Sequence, residues 1–93
     1  MNKKTASFKK TETNSVTEFL NNCITHKVLT VKKAQAINKA LEFHTVEQLF
    51  IEVYETGSVW IEYFRRNRTT GEMMGYHGFM KKQNTTIQLV LSE

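Results

Sequence analysis

The chain contains no proline and no aspartate, and it has a single cysteine, Cys23. One thiol excludes an intramolecular disulfide and a thiolate metal cage, and it suits a reducing compartment. With no aspartate, no Asp side chain can orient a catalytic histidine. Long hydrophobic runs are missing too, and none approaches the ~20 residues that a membrane span needs. Residues 1–10 are basic, but no apolar stretch follows them, so they do not read as a secretory signal. These absences lead us to expect a cytoplasmic protein that does not enter a membrane.

The 93 residues are enough for one domain, with a hydrophobic fraction of 40% and a charged fraction of 24%. A chain this short buries only about 60–70% of its unfolded surface, which leaves little for a deep active-site cleft. The net charge of +4 is unevenly distributed. Residues 1–33 carry seven lysines and two glutamates, residues 34–62 one lysine and five glutamates, and residues 63–93 five basic residues and two glutamates. Two positive regions therefore flank an acidic middle.

Threonine and asparagine are plentiful. The heavy use of Lys, Asn, Thr and Ile resembles the short reading frames of phages and mobile elements in low-GC bacteria. That resemblance is one of composition, and no motif carries it.

Residues 1–13 read as a flexible basic arm, because apart from Phe8 they have almost nothing to bury. Residues 14–93 read as a single α+β domain. Ser15-Val16-Thr17-Glu18 has the form of a capping box. Val16, Phe19, Leu20, Cys23 and Ile24 then recur at helical spacing, giving a helix that ends near His26-Lys27. Thr30 is the expected N-cap of a second helix, with Val31, Ala34, Ile37, Ala40 and Leu41 as its apolar stripe.

Residues 45–56 have two readings. Val46, Leu49, Phe50, Val53 and Tyr54 fit one face of a helix, yet the segment is rich in β-branched and aromatic residues. The turn at Glu55-Thr56-Gly57-Ser58 and the strand pattern of 59–64 favour a hairpin. Two further strands are expected at 72–80 and 86–91. The resulting architecture is two N-terminal helices packed on a four-stranded antiparallel meander. The alternative takes 45–56 as a third helix, which resembles a winged-helix DNA-binding domain with 65–70 as its wing. The would-be recognition helix then carries Glu47, Glu52 and Glu55 and no basic residue, which opposes groove binding.

No catalytic set is legible. His26, His44 and His77 fall in three different elements and lack metal-ligand spacing, and Cys23 lies on an apolar stripe. Glu52 and Glu62 could pair across the hairpin, but such a short sheet offers no cleft for acid–base work. A small RNA-cleaving protein would need a His/Arg/Tyr set on one surface, and none can be placed. We therefore expect no enzyme activity, no cofactor and no metal.

Two surfaces remain. Arg65, Arg66 and Arg68, with Asn67, Thr69 and Thr70, have the composition of a nucleic-acid finger. Lys81 and Lys82 form a second basic patch at the other end of the sheet, about 30 Å away along a strand rising ~3.3 Å per residue. Strand alternation places Leu49, Ile51, Val53, Val59, Ile61, Tyr63, Ile87, Leu89 and Leu91 under the helices. It puts Phe50, Tyr54, Trp60, Phe64 and Phe79 on the opposite face, together with Glu52, Glu62, His77, Gln88 and Val90. That face suits a protein partner or a second copy of the chain. The alternative is that the N-terminal arm or a helix covers it. The expected function is a small non-enzymatic binding or regulatory protein. A phage-type modulator or inhibitor of host nucleic-acid machinery would look like this, with DNA or RNA met by the arginine tip and the basic arm. The alternative function is a winged-helix-like transcriptional regulator.

Overall fold

The computed structural model describes residues 3–80 and the backbone of residues 90–92. Its elements are β1 (Lys3–Lys9), α1 (Val16–Thr25), α2 (Val31–Leu41), β2 (Thr45–Tyr54), β3 (Val59–Arg66), β4 (Met73–Phe79) and β5 (Val90–Ser92). The strands form one antiparallel sheet in the order β1-β2-β3-β4-β5. The α+β expectation holds, with two helices followed by the antiparallel meander β2–β5. Residues 86–89, the start of the last expected strand, lie outside the described residues.

Both helices start where their caps indicate. Ser15 Oγ accepts the Glu18 N–H at 3.1 Å, and Thr30 Oγ1 accepts the Lys33 N–H at 3.2 Å. α1 stops because Lys27 takes a left-handed φ of 60°. The Val28 and Leu29 N–H groups then turn back to the Cys23 carbonyl, satisfying it without a glycine. The helices bury Leu20, Cys23, Ala34, Ile37 and Leu41 against the sheet. Val31 and Ala40 are exposed, so the buried stripe of α2 is narrower than its sequence suggests.

Residues 45–54 are a strand, which removes the third helix on which the winged-helix alternative depended. A register shift between Val46 and Gln48 explains why a helix looked plausible. It leaves Glu47 as an extra residue, so Val46 and Leu49, three apart, both face the core. A spacing of three inside a strand mimics helical periodicity. Beyond the bulge, strict alternation buries Leu49, Ile51, Val59, Ile61 and Tyr63 beneath the helices, as expected.

The first segment corrects the sequence reading. Residues 3–9 are not a loose arm but the edge strand β1, antiparallel to β2, with Lys3 opposite Tyr54 and Lys9 opposite Gln48. Phe8 is buried and packs 5.5 Å from the Phe19 ring on α1, and Ala6 lies half-buried beside it. Composition alone did not show this. The strand's stability comes from backbone pairing with β2 residues 39 to 51 positions away, and from one aromatic anchor. The β2–β3 turn uses Gly57 at φ 90°, a conformation that L side chains rarely adopt.

Candidate binding surfaces

The helices cover one face of the sheet. Among the described residues, nothing packs across the other. β1 lengthens that open face instead of folding over it. Cross-strand partners share a face in an antiparallel sheet, so the register fixes what the open face displays. Ser7, Phe50, Glu62, His77 and Val90 form one row across the five strands. Thr5, Glu52, Trp60 and Phe79 form the next, and Lys9, Gln48, Phe64 and Gly75 another. All five aromatic residues expected on this face are there.

Four rings touch in sequence. Tyr54 and Phe79 have centroids 6.3 Å apart, Phe79 meets Trp60 edge-on at 4.8 Å, and Trp60 lies 5.3 Å from His77. Phe79 is 48% exposed and Phe64 42%, high values for phenylalanine. Beside Tyr54 and Phe79 lies an apolar depression of about 340 Å³, bounded by Glu55, Thr56 and Ser58. A second, of about 400 Å³, is lined by Phe50, Phe64, Glu62 and residues 7–9.

The two glutamates on this face are not opposite each other, because Glu52 pairs with Trp60 and Glu62 with Phe50. Each has its own partner. Lys3 Nζ contacts Glu52 Oε2 at 2.6 Å, and the Tyr54 hydroxyl donates to Glu52 Oε1 at 3.1 Å. These bonds hold the Glu52 carboxyl below its usual pKa and raise that of Lys3. Trp60 Nε1 donates to Glu62 Oε2 at 2.8 Å. The carboxylates of Glu52 and Glu62 thus stand among the rings, each bonded to a neighbouring polar group.

The arginine tip divides between the two faces. Arg66 lies on the open side, where it donates to the Gly71 carbonyl at 2.8 Å and stands 3.9 Å from Glu47. Arg65 has the parity of Val59, Ile61 and Tyr63 and points to the helix side. There its NH2 donates to the Tyr76 hydroxyl at 2.9 Å, and its guanidinium lies over the Tyr76 ring at 5.1 Å. Arg68 stands in the loop, with its Nε 3.3 Å from Thr45 Oγ1. The loop is shaped by Asn67, whose Oδ1 accepts the Thr69 and Thr70 N–H groups, and by Gly71 at φ 76°. Lys81 and Lys82 lie outside the described residues. Met80, just before them, bonds to Val59 at the other end of β3 from Arg65 and Arg66.

The histidines also separate. His26 is exposed, and His77 belongs to the aromatic row. His44 is half-buried against Tyr63, with centroids 6.1 Å apart, and Tyr63 stacks on Tyr76 at 5.2 Å. Burial, then Arg65 and Arg68, lower the His44 pKa. A His/Arg/Tyr cluster thus does converge on one surface. The sequence carried a signal for Arg65, because it continues the buried alternation of β3. For His44 it carried none, since that contact depends on the bulge and on how α2 ends. Cys23 is buried, and burial pushes its thiol pKa up, as expected of a structural cysteine. Among the described residues no group of His, Cys and Glu side chains is arranged to hold a metal ion, and no helix is long and apolar enough to cross a membrane. Comparison with protein-family models, curated proteins and solved structures finds no match to this chain.

Proposed function

We propose that this chain is a small non-enzymatic binding protein that docks a protein, or a second copy of itself, on the open aromatic face of its sheet. One observation carries the reading: Tyr54, Trp60 and Phe79 form a contiguous, partly exposed ring cluster on a face that no described element covers. Aromatic residues dominate binding energy at the centres of interfaces. Here their rotamers are set beforehand by packing and by the Trp60–Glu62 bond, which lowers the entropy cost of association.

The same face is poorly suited to stacking bases. Its rings surround Glu52 and Glu62, and a phosphate backbone crossing them would meet carboxylates. A role as a modulator or inhibitor of nucleic-acid machinery fits best if the sheet engages a protein while the arginine loop faces the nucleic acid. A winged-helix regulator is not supported, because the residues of its recognition helix form β2.

The experiment compares wild type with Trp60→Glu in affinity capture from nuclease-treated lysate and in sedimentation equilibrium. Removing a central aromatic costs about 2 kcal/mol or more at an interface, roughly a 30-fold loss of affinity. Capture or self-association should fall accordingly, with the fold intact by circular dichroism. Unchanged capture and unchanged mass would sink the proposal.

A further inference from the structure

We infer that the outer edge of β1 docks an extended acidic segment of another protein, which adds to the sheet as a further strand. The inference rests on the backbone and charge of that edge and not on the aromatic face.

β1 closes one end of the sheet and pairs, among the described residues, with β2 alone. The Lys10 N–H bonds to the Glu47 carbonyl, so by the antiparallel pattern Lys4, Ala6 and Phe8 turn their backbone groups toward β2. Lys3, Thr5, Ser7 and Lys9 then aim theirs outward. The Lys9 carbonyl shows this directly, because Asn14 Nδ2 reaches it from the following loop at 2.9 Å. That bond caps one end of the edge. Ahead of it, the N–H and C=O groups of Thr5 and Ser7 and the N–H of Lys9 have no backbone partner among the described residues. Such a row is a template for strand addition, in which main-chain bonds give affinity and alternate side chains give specificity.

Charge selects the occupant. Residues 3–10 carry four lysines and no acidic residue. Lys3 is paired with Glu52, but Lys9 is exposed and makes no ion pair with a carboxylate of the described residues. A second copy would set β1 against β1. Antiparallel pairing centred on Ala6 places Lys3 opposite Lys9, and like charges directly opposite destabilise a sheet. An acidic strand meets attraction at the same positions.

The two sides of the edge ask for different side chains. On the open face an added strand runs beside Lys3, Thr5, Ser7 and Lys9, so its carboxylates belong there. On the helix side a groove of about 250 Å³ is lined by Phe8 and by Glu18, Phe19 and Asn22 of α1. No β2 residue lines this groove, so it lies beyond the sheet edge. Glu18 repels a carboxylate there, while the two phenylalanines favour a small apolar group. The fitting segment therefore alternates acidic and apolar residues.

The test is a titration of the isotopically labelled chain, at low ionic strength, with a blocked heptapeptide of alternating glutamate and valine. The lysine–valine heptapeptide is the control. At saturation the outward amides of Thr5, Ser7 and Lys9 should exchange with solvent roughly tenfold more slowly or less readily still. Ser7→Pro removes an outward N–H and no bond to β2, at a position where an edge strand accepts proline, so it should weaken binding roughly tenfold with the fold intact. Lys9→Glu should weaken binding several-fold. Lys39→Glu makes the same charge change in the last turn of α2 and should leave binding unchanged. Equal binding of the lysine peptide, or binding without slowed exchange at Thr5 and Ser7, would overturn the inference. Equal losses from Lys9→Glu and Lys39→Glu would do the same. So would slowed exchange on concentrating the chain alone, because the occupant would then be a second copy.

Discussion

Phe8→Ala should destabilise the fold far more than its place near the chain start suggests. Phe8 is 6% exposed and packs on Phe19 and the core beneath α1. Phe→Ala changes in cores cost about 3–5 kcal/mol. At an edge strand the neighbours relax more easily, and β1 can detach before the rest unfolds, so about 2–3 kcal/mol is the expected cost here. For a domain of this size each kcal/mol is worth about 4–8 °C, so the melting midpoint should fall by roughly 10–20 °C. Urea unfolding combined with amide exchange is the assay. Lys10 N–H donates to the Glu47 carbonyl, and antiparallel bonding repeats every second residue. The amides of Lys4, Ala6 and Phe8 should therefore be protected in the wild type and exchange faster in the variant. A stability change below about 0.5 kcal/mol, within the range of ordinary surface substitutions, together with unprotected wild-type amides, would refute β1 as part of the fold.

Lys27→Gly should stabilise the protein by about 0.5–1 kcal/mol, because Lys27 holds a left-handed φ of 60° that glycine adopts without steric cost. Chemical denaturation with an unchanged m-value checks it, and a loss of stability would contradict the proposed end of α1. Acid should weaken the fold through His44. Its folded pKa lies below the ordinary 6.5, so in the window from 6.5 down to that lowered value the unfolded chain binds more protons and stability falls with pH. His44→Gln should flatten this part of the stability–pH curve, and an identical slope in both proteins would exclude His44 as the cause.

The helices and the hairpin were legible because their signals are local. Ser15 and Thr30 cap where a side-chain oxygen meets an orphan N–H three residues on, and a strand's period of two sorts Leu49, Ile51, Val59 and Ile61 from Phe50, Trp60 and Phe64. The open-face aromatic set followed from that same parity. What the sequence hid is non-local. β1 owes its existence to a partner strand about 40–50 residues away, and no composition window contains that information. The bulge at Glu47 changes the period within one strand, so Val46 and Leu49 imitate a helix. The arginine tip looked like one patch because neighbours in sequence were treated as neighbours in space. In a strand, successive side chains point to opposite faces, so Arg65 and Arg66 part company.

Trp60 is the sole tryptophan of the chain and sits in the middle of the open face. Protein grown with 5-fluorotryptophan therefore gives one fluorine resonance that reports on this surface alone. When a captured protein partner is added, or when the chain is concentrated if the partner is a second copy, that resonance should shift and broaden in proportion to the fraction bound. Complex formation that leaves the Trp60 signal unmoved would contradict the account.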